Sequence, residues 1–132
     1  MTVAGLLDTS VFIASESGRE LAVDRIPDAA LVCVVTLAEL EAGVLAAPTT
    51  EVRARRLRTA QRAATVAPLP IDAPAAAAWA RLRVMLHESG RRMGVNDLWI
   101  ASVAVSRDLP VVTQDDDFDV LADLGLLEVI RV

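Results

Sequence analysis

Val3-Ala4-Gly5-Leu6-Leu7-Asp8-Thr9-Ser10 is the stretch from which the fold can be read. Its apolar run, Val3 to Leu7 with Gly5 inside it, has the length of a short buried strand and delivers a carboxylate at its C-terminal end. Thr9 or Ser10 can then cap a short helix through Val11, Phe12 and Ile13. Three later segments repeat the theme of an apolar run followed by an acid at or near a helix start, at Glu39, Asp97 and Asp115.

Outward from that stretch, strands and helices alternate. A second short helix is expected from Glu20 to Ile26, ended by Pro27 and Asp28. Ala30 to Val35 reads as a strand buried on both faces, as in a parallel sheet. Thr36-Leu37-Ala38-Glu39 has capping-box form, with Thr36 as N-cap and Glu39 at the third helical position of a helix reaching Leu45. Thr50 starts an Arg- and Ala-rich helix to about Ala64. Val66 to Ile71 carries two prolines, so a strand there is short and near an edge. Asp72 opens a long helix to about Ser89, closed by Gly90. Asn96 is placed to cap a helix from Asp97 to about Arg107, Leu109 to Thr113 forms the next strand, a short helix runs to Leu124, and Leu127 to Arg131 is the last strand. Such alternation with short connections predicts one α/β domain over residues 1–132, with helices on both faces of a mainly parallel sheet of four to five strands. Ligands of such sheets bind outside the carboxyl ends of the strands, where the acids fall.

Composition agrees with a packed core: 54% of the 132 residues are hydrophobic and 23% charged. Aromatics are only 3%, so Ala, Val, Leu and Ile must build it. The longest apolar run, Ala29 to Val35, is far too short to cross a bilayer, and no leader pattern opens the chain, so a cytoplasmic protein with no membrane partner is expected. The lone Cys33 forms no intrachain disulfide and suits a reducing compartment and a buried position. The net charge of -5 argues at first against a nucleic-acid partner. Its distribution matters more, because all 13 basic residues are Arg, and nine of them lie between residues 53 and 92, where only two acids occur. A basic middle between acidic ends can set an anion-binding surface beside a cation-binding one. The bland alternative is that Arg53, Arg55, Arg56, Arg58 and Arg62 merely solvate a helix.

Each acid alone has a plain structural role: capping for Glu39 and Asp115, a helix dipole for Asp97, an Asx turn for Asp8. Brought together without a counterion, these carboxylates would repel one another and raise each other's pKa. With no Lys and few Arg in the flanking segments, a hard divalent cation bound by oxygen is the natural counterion, and the lack of a useful His or Cys set argues against zinc.

The pieces Leu7-Asp8-Thr9-Ser10, Thr36-Leu37-Ala38-Glu39-Leu40, Asn96-Asp97-Leu98-Trp99-Ile100-Ala101 and Val112-Thr113-Gln114-Asp115-Asp116-Asp117-Phe118 occur in an order that resembles a PIN-domain ribonuclease, most closely the VapC-type toxins of bacterial toxin-antitoxin pairs. No one piece is specific; the ordered set is, and with the intervening helices the resemblance covers essentially the whole chain. It implies a PIN-like three-layer α/β/α fold and an acidic pocket of Asp8, Glu39, Asp97 and Asp115, with Asp117 a secondary metal ligand and Thr9, Ser10 and Thr113 as supporting hydroxyls. It also implies Mg2+ or Mn2+ as cofactor, RNA as substrate, inhibition by a small cognate antitoxin, and a homodimer. Among Asp115, Asp116 and Asp117, the resemblance favours Asp115, which follows Thr113 by two as in the family's motif. Arg91 and Arg92 are the candidate RNA contacts, since their loop leads into the helix of Asp97.

Two other function classes compete. A signalling receiver domain also sets acids and Mg2+ at strand ends, but it needs a Lys that this chain lacks. A non-catalytic PIN-like interaction module is opposed by the intact acid set. His87, the only histidine, is read as a surface or helix-end residue, and Trp79 and Trp99 as core or dimer packing.

Overall fold

The computed structural model describes residues 3–132. Its elements follow in the order β1 (Ala4–Leu7), α1 (Thr9–Glu16), a 3-10 turn (Val23–Arg25), β2 (Ala29–Leu31), α2 (Val34–Leu45), α3 (Thr50–Ala63), α4 (Ala73–Glu88), α5 (Val95–Ser106), β3 (Val111–Thr113), α6 (Asp119–Asp123) and β4 (Val129–Arg131). The four strands form one sheet in the order β2-β1-β3-β4, every pair parallel.

Register explains the layering. Leu6 pairs with Val111, which pairs with Val129, while Leu7 pairs with Val112, which pairs with Ile130. Successive strand residues point to opposite faces, so these two rows supply two cores. Leu6, Val111 and Val129 join Leu82 and Leu86 of α4, Leu98 and Ile100 of α5, and Phe118. Leu7, Val112 and Ile130 join Val11 and Phe12 of α1 and the terminal Val132. The result is the expected three-layer α/β/α arrangement. Each fully buried Leu, Ile or Val contributes roughly 1.5–3 kcal/mol of burial. Gly5 interrupts this apolar run for a steric reason: a Cβ there would stand 2.9 Å from both Pro27 Cγ and Val112 Cγ2.

The helix ends are set locally. Thr49 accepts from the Val52 N–H at the start of α3 and Asp72 from the Ala75 N–H at the start of α4, both at 3.1 Å. Gly90 ends α4 with φ of 68°, a backbone state that favours glycine. Trp79 of α4 stacks on Trp99 of α5 with ring centroids 5.1 Å apart, so both serve packing, and His87 is exposed in the last turn of α4. Among the described residues no helix is long and apolar enough to cross a membrane.

Several local expectations are corrected. Thr36 is not an N-cap: α2 begins three residues earlier than expected, with Cys33 as its N-cap. The extended run stops at Cys33 because Val32 C=O and Val34 N–H both pair with Leu69, and Val35 is drawn into the larger core. Tertiary packing thus overrides the strand preference of Val34 and Val35. That single bridge is also all that remains of a strand over Val66 to Ile71. Asn96 does not cap α5; Gly94 does, its carbonyl accepting from Leu98 N–H at 3.0 Å. Neither Thr9 nor Ser10 caps α1, whose N-cap is Asp8. The helix expected over Glu20 to Ile26 shrinks to the 3-10 turn, and the Glu20 carbonyl accepts instead from Gln114 Nε2 at 3.0 Å.

Candidate active site

In this sheet the chain leaves β1 for β2 on one side and returns to β3 on the other. Such a reversal opens a crevice at the carboxyl ends of the adjacent strands. Asp8 is the first residue after β1, and Gln114 and Asp115 follow β3. Glu39 enters from α2 and Asp97 from the first turn of α5. Asp8, Glu39, Asp97 and Asp115, with Asp117, line one open cleft of about 320 Å3 together with Thr9, Ser10, Ile13 and Arg19.

A hydroxyl network holds the carboxylates. Asp8, only 4% exposed, accepts from Thr113 Oγ1 at 3.0 Å through Oδ2. Thr113 Oγ1 also accepts from the Asp115 N–H at 3.0 Å and lies 3.2 Å from Ser10 Oγ, which in turn accepts from the Gln114 N–H at 3.1 Å. Thr9 Oγ1 donates to Glu39 Oε1 at 2.7 Å and lies 3.1 Å from the buried Thr36 Oγ1. Thr9 and Thr113 thus bond acid side chains directly, Ser10 reaches them through Thr113, and Thr36, read from sequence as a cap, joins the network.

Electrostatics mark Asp97 most strongly. Burial, and then the charges of Asp8, Asp117, Glu39 and Asp115, push its pKa from 3.8 up to about 7. Asp8 is also raised by burial, against the pull of the Ser10 and Thr113 hydroxyls and the amides opening α1. Asp115 is raised by burial and by Asp8 and Asp117, and Arg19 partly offsets this. Burial and mutual repulsion that lift several carboxylates at once would be offset by a divalent cation among them. The site's donors are hard oxygens, which suit Mg2+ or Mn2+. Among the described residues no three acid, His or Cys side chains are gathered tightly enough to chelate an ion as they stand. Mg2+ needs only a few carboxylates because it keeps several waters.

Asp116 separates from its neighbours: it pairs with Arg131, which also takes Asp119 in two bonds of 2.8 and 2.9 Å. Asp115 and Asp117 remain with the acids. Arg91 and Arg92 line an adjoining cleft of about 420 Å3 that shares Asp97 and Asp117 with the first. In the Arg-rich α3, Arg56 donates to Gly43 C=O at 2.7 Å and Arg55 lies 3.9 Å from Glu16, while Arg53, Arg58 and Arg62 are exposed. Sequence reasoning missed Arg19 and Gln114. The available signal was that Arg19 is one of only two basic residues in an otherwise acidic first third.

A model of the PIN domain family matches residues 5–124. The chain belongs to the PIN-domain family. Ribonuclease VapC5 of Mycobacterium tuberculosis is 60% identical over 129 residues, 98% of this chain and 96% of that relative. Ribonuclease VapC4 of the same organism is 42% identical over 125 residues, 94% of this chain and 95% of that relative. The crystal structure of VapBC-5, a member of the VapBC family of toxin-antitoxin systems from M. tuberculosis, has a TM-score of 0.91 and 57% identity, covering 98% of this chain and 99% of that one. Membership of the PIN-domain family removes the receiver-domain alternative.

Proposed function

We propose that this PIN domain, acting as one folded unit over residues 1–132, is a VapC-type endoribonuclease that hydrolyses RNA phosphodiester bonds with Mg2+ or Mn2+. The observation that carries the reading is the meeting of Asp8, Glu39, Asp97, Asp115 and Asp117, from four separate segments, on one cleft at the carboxyl ends of the strands. Identity of 60% to a ribonuclease across nearly the full chain supports the same activity.

Asp8, Glu39, Asp97 and Asp115 would hold the ion, with Asp117 as a secondary ligand. When bound, a divalent cation acidifies water and offsets the charge that builds on phosphoryl oxygens. The chain's own part is positional and electrostatic. Thr113 and Ser10 fix Asp8 and the start of the β3 loop, and Thr9 fixes Glu39, so the donors present one geometry. Asp97, whose pKa stands near 7 without an ion, exchanges its proton close to neutral pH, so ion binding and deprotonation of Asp97 are coupled. Arg91 and Arg92, in the cleft that shares Asp97 and Asp117, contact the RNA backbone and give affinity with little sequence preference.

A cognate antitoxin is the proposed inhibitor. The relative of known structure comes from a toxin-antitoxin system. An apolar groove between α2 and α3, lined by Val44, Leu45, Leu57 and Ala60, leaves Leu45 80% exposed, as fits a surface covered by a second protein. Self-association into a homodimer and a cytoplasmic location, where the buried Cys33 stays reduced, complete the proposal. Sedimentation of the chain alone and with a co-expressed neighbouring protein tests the assembly.

The activity is tested by RNA cleavage with Mg2+, Mn2+ or EDTA, in wild type and in Asp8→Asn. The amide retains an oxygen for Thr113, so the fold is kept while cleavage and metal affinity are lost. Metal-independent cleavage, or full activity in Asp8→Asn, would overturn the reading. A folded, metal-binding wild type that cuts no RNA would favour the interaction-module alternative.

A further inference from the structure

The ribonuclease reading has an electrostatic difficulty of its own, and this inference rests on that reading. RNA is a polyanion, yet five carboxylates line the cleft it must enter, and among the described residues Arg19 is the single cation lining it with them. Arg19 lies in the turn that closes α1, its N–H donating to Ala14 C=O at 2.9 Å. Its Nη1 lies 3.5 Å from Gln114 Oε1, a weak contact at the edge of hydrogen-bond distance. Gln114 is itself pinned, with Nε2 donating to Glu20 C=O at 3.0 Å and to Val132 C=O at 2.8 Å. The Gln114 oxygen therefore stands as a fixed stop for the guanidinium. No carboxylate of the described residues lies within 4.0 Å of Arg19, although its field reaches Asp115. An exposed guanidinium thus faces the acids with most of its donors unused. Arg91 and Arg92 stand in the adjoining cleft, joined to this one through Asp97 and Asp117.

We propose that Arg19 binds a backbone phosphate of the RNA at the carboxylate cleft, so that the strand crosses the acids between Arg19 and the Arg91-Arg92 pair. A guanidinium suits this task because its planar fork meets two phosphate oxygens at once, and it stays charged at every relevant pH. The contact lies where the acids repel the backbone most, so it sets the register of the strand as well as its affinity.

The test uses a labelled single-stranded RNA in EDTA, so that binding is read without cleavage, over a series of salt concentrations. The variants are Arg19→Ala, Arg19→Gln and Arg19→Lys, with Arg62→Ala on the exposed part of α3 as a control for net charge. Loss of one phosphate contact on a single strand should lower the slope of log affinity against log salt by about 0.7. Arg19→Ala and Arg19→Gln should show that loss and about 10-fold weaker binding, while Arg19→Lys restores the slope but only part of the affinity. Arg62→Ala should bind as wild type does. With Mg2+ present, KM for RNA should rise in Arg19→Ala more than kcat falls. Unchanged affinity and slope in both Arg19→Ala and Arg19→Gln, or an equal loss in Arg62→Ala, would overturn the assignment. The two readings fail separately: a wild type that cuts no RNA defeats the ribonuclease reading, whereas a wild type that cuts RNA alongside an equally competent Arg19→Ala defeats only this one.

Discussion

Replacing Asp97 by Asn should stabilise the protein above neutral pH and leave its stability unchanged in acid. The reasoning starts from a carboxyl group whose pKa rises from 3.8 to about 7 on folding. Between those values the folded state holds a proton that the unfolded chain has released, so stability falls as pH rises through that window. At about 1.36 kcal/mol per pH unit, the interval sets a ceiling of about 4 kcal/mol. Asp97 is partly exposed, and solvent screening reduces the expected effect to ~1–2 kcal/mol. Asn removes the ionisation while keeping the shape. Urea unfolding of wild type and Asp97→Asn, above pH 7 and again below pH 3.8, measures the difference directly. The variant should gain ~1–2 kcal/mol at the higher pH and nothing at the lower. Saturating Mg2+ should raise the stability of wild type at the higher pH and reduce the gap, because an ion binding only the folded state stabilises it. If Asp97→Asn is no more stable than wild type above pH 7, the carboxylates do not repel one another as described, and the electrostatic case for a cation site fails.

Other outcomes follow from the same geometry. Thr113→Val removes the hydroxyl that donates to Asp8 and accepts from the Asp115 amide, and should cost about 10–100-fold in metal affinity or cleavage, read by metal titration and by rate. Asp8→Asn should abolish cleavage yet unfold at a urea concentration no lower than wild type, since the buried carboxylate is itself costly to ionise. Gly5→Ala should destabilise by about 1–3 kcal/mol in the same unfolding assay, because its methyl group collides with Pro27 and Val112. A wild-type midpoint in that variant would show that Pro27 gives way.

Much of the fold was legible in the chain because its signals are local. Apolar runs marked β1, β3 and β4, Asp72 and Gly90 bracketed α4, and the alternation of strands and helices implied a parallel sheet with acids at its carboxyl ends. The four principal acids were legible as well, as an ordered set of short pieces, though none of them was specific alone. What the chain could not disclose were choices made by partners distant in sequence. Cys33 stops an extended run because Leu69 pairs there, which turns Val34, Val35 and Thr36 into the first turn of α2. Gln114 bonds the Glu20 carbonyl from a position 94 residues away, where the chain keeps only a 3-10 turn before β2. Asp116 parts from Asp115 and Asp117 because Arg131, at the end of β4, claims it. Arg19, unremarkable in the sequence, reaches the cleft only because α1 packs beside β3. Hydrophobic periodicity and capping chemistry act over a few residues and can be read in order; hydrogen bonds and ion pairs that link residues up to about a hundred positions apart, as Thr113 links to Asp8, exist only once the sheet has closed.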